Sequence, residues 1–164
     1  MRQAKTSQLQ IRVSPEEKKQ IEQRARRAQL SMSEWVLAQL LSPGQRAFEN
    51  LCSQLAKQEG TCTYELAALN DLLARLPKSE FSGALTDAPS NLSPFQFAYV
   101  SAMVEFAASI KEVQTPDWAH RAIPLSDPYF ASPLKSLRLH LLVNSPPPFK
   151  RRNLFIDSSV GERV

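Results

Sequence analysis

The sequence predicts a mainly α-helical chain that opens on one short strand and two capped helices. It continues as a helical region broken by Pro-rich irregular segments. Three observations carry this. Apolar residues recur at helical spacing through most of the chain, while a period of two governs residues 8–13. Prolines number 12 against 4 glycines and crowd the second half, which suits helices joined by stiff connections better than a strand-and-turn sandwich. Finally, Ser-x-x-Glu signatures at 14–17 and 31–34 mark two helix starts.

Residues 8–13 read Gln8-Leu9-Gln10-Ile11-Arg12-Val13. Apolar Leu9, Ile11 and Val13 alternate with polar Gln8, Gln10 and Arg12, the pattern of a half-buried strand. Ser14 is placed to cap a helix, Pro15 suits its first position, and Glu17 completes a capping box. This helix is expected from about Pro15 to Ala28, with Ile21, Ala25 and Ala28 on one face and basic residues on the others. After a turn near Gln29-Leu30, Ser31 and Glu34 repeat the start signal. A second helix carries Trp35, Val36, Leu37, Leu40 and Leu41 until Ser42-Pro43-Gly44. Its apolar positions cover more than one face, and a unit this small cannot bury them alone, so a partner chain is expected.

Charge sharpens the picture. The chain of 164 residues has a net charge of +4, with nine basic and five acidic residues before position 51 and eleven of each after it. A basic head on a neutral body is the asymmetry expected of a nucleic-acid-binding piece. No apolar run approaches the ~20 residues of a membrane span, and the N-terminus lacks the apolar core of a secretory signal. Cys52 and Cys62 match no metal or redox spacing, which predicts free thiols and a cytoplasmic location.

Strand, helix and helix in this order resemble the ribbon-helix-helix family of the Arc and methionine repressors, over residues 7–42. The resemblance implies a homodimer whose paired strands enter the major groove of operator DNA. It implies base reading by Gln8, Gln10 and Arg12, where Gln suits adenine and Arg suits guanine. It also implies phosphate contacts from Arg2 and Lys5 and from the start of the second helix at Ser31, Met32 and Ser33. The bland reading of the same residues is a solvated edge strand and a soluble basic helix.

Residues 1–44 are thus read as the DNA-binding and dimerisation domain, 45–76 as a helical extension, 77–92 as a linker and 93–164 as a helical partner-binding region. Phe48, Leu51, Cys52 and Leu55 mark one helix of the extension, and a Leu stripe from Leu66 to Leu76 marks the next. The linker assignment rests on small and turn-forming residues. Ser93-Pro94 opens a helix to about Glu112 that is apolar almost all round, the expected centre of a second core. An irregular aromatic segment, a short helix over Leu134–Val143 and SPPPFKRRNLF follow.

Trp118, DPYF, LKSLRLHLL and SPPPF-KRRN-LF are similar to antitoxin-type proteins paired with nucleotidyltransferase-like toxins. That resemblance, over residues 93–160, implies an autoregulating repressor that binds a toxin. Trp118, Tyr129 and Phe130 are candidate partner contacts as an aromatic patch, and Lys150, Arg151 and Arg152 as a basic run. Each also has a plain packing or surface reading. There is no glycine-rich phosphate loop, no nucleophile setting and no metal spacing, and His120 and His140 stand apart. The sequence therefore predicts no enzyme, no cofactor and no metal. The alternative to a DNA-binding repressor is a dimeric protein-interaction module without a DNA role, in which the basic excess is surface charge.

Overall fold

A computed structural model describes residues 10–40, 43–58 and 63–157. The protein is mainly helical, and its chain divides into two compact units, Met1–Leu41 and Ser42–Val164.

Within the first unit, residues 10–14 have no regular secondary structure, so the expected strand is not formed by the described residues of the single chain. A strand's amide and carbonyl groups need a second strand to complete a ladder, and none pairs with residues 10–14 among the described residues. Gln8, with Arg2 and Lys5, lies outside the described residues. Helix α1 (Pro15–Arg27) starts as expected: the Ser14 hydroxyl accepts from the Glu17 amide at 3.3 Å, and Glu17 accepts from the Ser14 amide at 2.8 Å. These backbone and side-chain bonds with Ser14 hold the Glu17 carboxyl below its ordinary 4.5. Helix α2 (Met32–Leu40) repeats the box, with Ser31 Oγ 3.2 Å from the Glu34 amide and Glu34 Oε2 3.2 Å from the Ser31 amide.

The second unit begins where a stop was expected. Helix α2 ends at Leu40, ahead of the expected stop at Ser42-Pro43-Gly44, and Pro43 is also the first residue of α3 (Pro43–Leu55), where its missing N–H is no loss. Helix α4 (Thr63–Arg75) follows, burying Leu66, Leu69 and Leu73. The expected linker, 77–92, is corrected: it contains helix α5 (Lys78–Ala84), and Phe81, Ala84 and Leu85 are buried in the core. Small and polar residues there form the outer surface, while Phe81 and Leu85, four apart, anchor the inner one. The extension 45–76 shares this unit with the C-terminal region.

The centre is α6 (Pro94–Lys111), buried along most of its length, as its all-round apolarity predicts. It packs on α4, on α7 (Asp117–His120) and on α9 (Pro147–Lys150). Gln96 joins two elements at once. Its Oε1 accepts from the Ser93 amide at 2.9 Å to complete the cap of α6, and its Nε2 donates to the carbonyls of Leu55 at 2.8 Å and Gln58 at 3.1 Å. Those carbonyls close the end of α3, where the helix itself supplies no donors. A two-residue parallel ladder pairs β1 (Tyr129–Phe130) with β2 (Leu154–Phe155), Tyr129 opposite Leu154 and Phe130 opposite Phe155. The short helix expected over Leu134–Val143 forms as a 3-10 turn (Lys135–Leu137) running into α8 (Arg138–Asn144).

Candidate nucleic-acid interface

In the first unit, Gln10 and Arg12 are exposed, as base-reading side chains must be. The apolar residues between them are exposed as well: Ile11 is 57% and Val13 42% accessible. Among the described residues of this unit only Ala25 is buried. Trp35, Val36 and Leu37 of α2 are half-covered. With one buried side chain among its described residues, and with Ile11 and Val13 exposed, this stretch buries little apolar surface of its own to offset chain entropy.

Ser31, Met32 and Ser33 lie exposed at the start of α2. The amides of Met32 and Ser33 head the helix and have no acceptor within it, which is the geometry that suits a phosphate. The site is partly occupied from within. Glu34 places Oε2 2.8 Å from Ser31 Oγ, bringing a carboxylate to the same positive helix end. Along α1, Lys18, Lys19, Arg24 and Arg27 are exposed, while Arg26 pairs with Glu22 at 2.8 Å. Arg24, Arg26 and Arg27 occupy the last turn, where cations favour the helix C-terminus.

The expected partner contacts of the second unit are not brought together as a patch. Trp118 is buried; its ring lies 6.2 Å from Phe48 and 6.0 Å from Phe97, and its Nε1 donates to the Leu85 carbonyl at 2.8 Å. It is a core residue whose indole N–H ties α7 to the end of α5. Tyr129 and Phe130 are half-buried. Tyr129 meets Phe95 edge-on at 4.8 Å, and Phe130 stacks on Phe155 at 5.0 Å with Arg138 above its face.

The basic run separates into three roles. Lys150 donates to the Val143 carbonyl at 2.7 Å. Arg151 is exposed and bonds Glu105 Oε1. Arg152 is only 4% accessible, which removes it as a partner contact: its Nη1 reaches Glu105 Oε2 at 2.8 Å and the Pro148 carbonyl at 2.7 Å, and its Nη2 reaches the Ala119 carbonyl at 2.6 Å. A buried guanidinium needs such partners to offset its lost hydration. Glu105 is the residue that local reading passes over. Its one signal is a lone carboxylate inside the apolar run Met103-Val104-Glu105-Phe106.

His120 Nδ1 lies 3.8 Å from Glu105 Oε1, and His140 Nε2 lies 3.5 Å from Asp157. Among the described residues no cluster of His, Cys, Asp or Glu has the makings of a metal site, and no helix is long and apolar enough to cross a membrane.

Residues 3–60, about a third of the chain, are similar to the NikA-like family, described as mobilization protein NikA. The matched span takes in α1, α2 and α3. Comparison with curated proteins and with solved structures finds no match to the chain.

Proposed function

We propose that the chain is a homodimeric, sequence-specific DNA-binding protein of the ribbon-helix-helix type, acting in mobilization. The single observation that carries the reading is the exposure of both faces of residues 10–13 in a unit among whose described residues only Ala25 is buried. Pairing two such segments antiparallel would cover Ile11 and Val13 on one side and leave Gln8, Gln10 and Arg12 facing a major groove on the other. Arg2, Lys5 and the amides of Ser31, Met32 and Ser33 then serve the phosphates and fix the register. The two capping boxes in sequence order and the similarity to a mobilization protein support the same assignment.

Operon autoregulation and toxin binding receive no such support. The similarity at residues 3–60 is to a mobilization protein, and Trp118 and Arg152, two of the residues on which a toxin contact was expected, are inside the core. We assign the chain no catalytic role.

A mobility-shift assay on duplexes selected from a random pool tests the reading. A retarded complex whose affinity falls steeply with salt is expected. Replacing Gln10 and Arg12 together by alanine should abolish sequence preference, at ~1–3 kcal/mol for each base no longer read, while leaving helical content unchanged. Retention of full specificity by the double variant sinks the base-reading assignment. No retardation at low salt would leave a dimeric interaction module instead.

A further inference from the structure

In the second unit, α8 presents the reverse of an ordinary surface helix. Leu141 alone is buried, while Leu139 is 73% and Val143 65% accessible, with Leu142 exposed beside them. Positions 139, 142 and 143 share one helical face, so these three form a continuous aliphatic stripe pointing away from the core. Exposed Leu134, at the entry to the 3-10 turn, extends the same apolar segment. The main neighbours of α8 are the 3-10 turn before it and β2, so it stands as a ridge rather than as one wall of a groove.

Cations predominate around the stripe, with Lys135, Arg138 and Lys150 at its ends and a carboxylate, Asp157, beside His140. From Pro128 to Ile156 the chain carries five Lys or Arg and no carboxylate. Lys135 and Arg138 lie at the N-terminal end of the ridge, Arg138 held 5.0 Å above the Phe130 ring. Lys150, through its bond to the Val143 carbonyl, places an ammonium at the C-terminal end. A carboxylate does approach α8 at His140, where Asp157 lies 3.5 Å from the ring.

We propose that the 3-10 turn and α8 form a docking face for an anionic lipid surface. Leu139, Leu142 and Val143 enter the interfacial layer, and Lys135, Arg138 and Lys150 meet the headgroup phosphates. An apolar ridge bounded by cations suits a layer that moulds itself around inserted side chains and carries negative charge. A second copy docked face to face on a two-fold axis would instead set Lys135 and Arg138 against Lys150 where the helices run antiparallel, or against their own counterparts where they run parallel, cation against cation in either case. The association is peripheral, since no described helix can cross a membrane.

Flotation of the full chain with vesicles tests this. The protein is expected to float with equal parts phosphatidylglycerol and phosphatidylcholine and to stay behind with phosphatidylcholine alone. Leu139→Glu/Val143→Glu should lower the floating fraction by about tenfold or more while keeping far-UV helicity and the DNA mobility shift. Lys135→Glu/Arg138→Glu, which leaves the stripe intact and serves if the first variant misfolds, should also reduce flotation. Lys18→Glu/Lys19→Glu, on α1, should not. Absence of flotation overturns the proposal. So does loss of flotation in the α1 variant with retention in the α8 variants, which would mean ordinary attraction of a basic helix. If the Leu139→Glu/Val143→Glu change lowers the solution mass and leaves lipid binding intact, the ridge is an interface between copies and the proposal also fails.

Discussion

Arg152 and Glu105, 47 positions apart in the chain, meet at 2.8 Å with both side chains below one-tenth exposure. The bond ties the segment after α9 to the middle of α6, and the Nη2 bond to Ala119 carries the same guanidinium to α7. Three elements thus converge on one cation.

The pair predicts an asymmetry between neighbouring arginines. Arg152→Ala leaves Glu105 buried without its enclosed partner and strips the Ala119 and Pro148 carbonyls of a donor, a loss of ~3–5 kcal/mol in a buried pair. Arg151 bonds the same carboxylate, yet its side chain is 62% exposed. Its interaction is shared with water, so Arg151→Ala should cost under ~1 kcal/mol. Urea unfolding followed by circular dichroism separates the two. Equal losses from both variants would show that burial of Arg152 does not govern the cluster.

Two glycines of the second unit, Gly44 and Gly83, make opposite predictions. A Cβ added at Gly44 would stand 2.5 Å from Leu76 Cδ2 and 3.1 Å from Ala84 Cβ, so α3, the residue that follows α4, and α5 close on a site that takes a methyl group only if the buried Leu76 side chain shifts. Overpacking of this kind costs ~1–3 kcal/mol and outweighs any gain in helix propensity near the start of α3. At Gly83 nothing lies within 4 Å. Gly83→Ala, within α5, should therefore stabilise by ~0.5–1 kcal/mol through the unfolded chain. Thermal melts of the two variants check both signs. A stabilised Gly44→Ala would mean that Leu76 moves aside.

How much of the fold is legible in the sequence depends on how local the determinants are. The starts of α1, α2 and α6 are readable because Ser14 with Glu17, Ser31 with Glu34, and Ser93 with Pro94 lie within one helical turn. The apolar stripe of α4 is readable for the same reason. The segment 77–92 passes for a linker because Pro77, Ser79, Ser82 and Gly83 dominate its composition, while the two side chains that bury it, Phe81 and Leu85, are a minority. Lys150–Arg152 looks like a surface run because the partner of Arg152 lies on another helix, and nothing between them announces the pairing. Trp118 poses the same ambiguity, since an aromatic in an irregular segment is equally suited to a partner or to a gap between helices. At the candidate interface the order of elements is readable. The need for a partner is readable too, from apolar positions on more than one face of α2; the exposure of both Ile11 and Val13 is not, because alternation alone predicts one buried face.

Alkaline pH should weaken the second unit through two neutral groups in its core. Burial raises the Cys52 thiol from 9.0 to about 12, with a smaller push from Glu49. Burial likewise raises the Tyr99 hydroxyl from 10.0 to about 12, with Tyr129 adding to it. In the folded chain both groups keep their protons beyond the pH at which they ionise when unfolded. The unfolded chain then holds fewer protons, so by linkage stability falls as pH rises. It is complete below about pH 9 and is lost as pH climbs toward 12, by on the order of a few kcal/mol. Tyr99→Phe keeps the ring contacts with Phe95 and Phe149 and removes one of the two ionising groups. Urea midpoints measured from about pH 8 to about pH 10.5 should decline in the wild-type chain and decline less steeply in Tyr99→Phe. Equal slopes would mean that Tyr99 ionises as readily in the folded protein as in the unfolded one, and that its side chain reaches water.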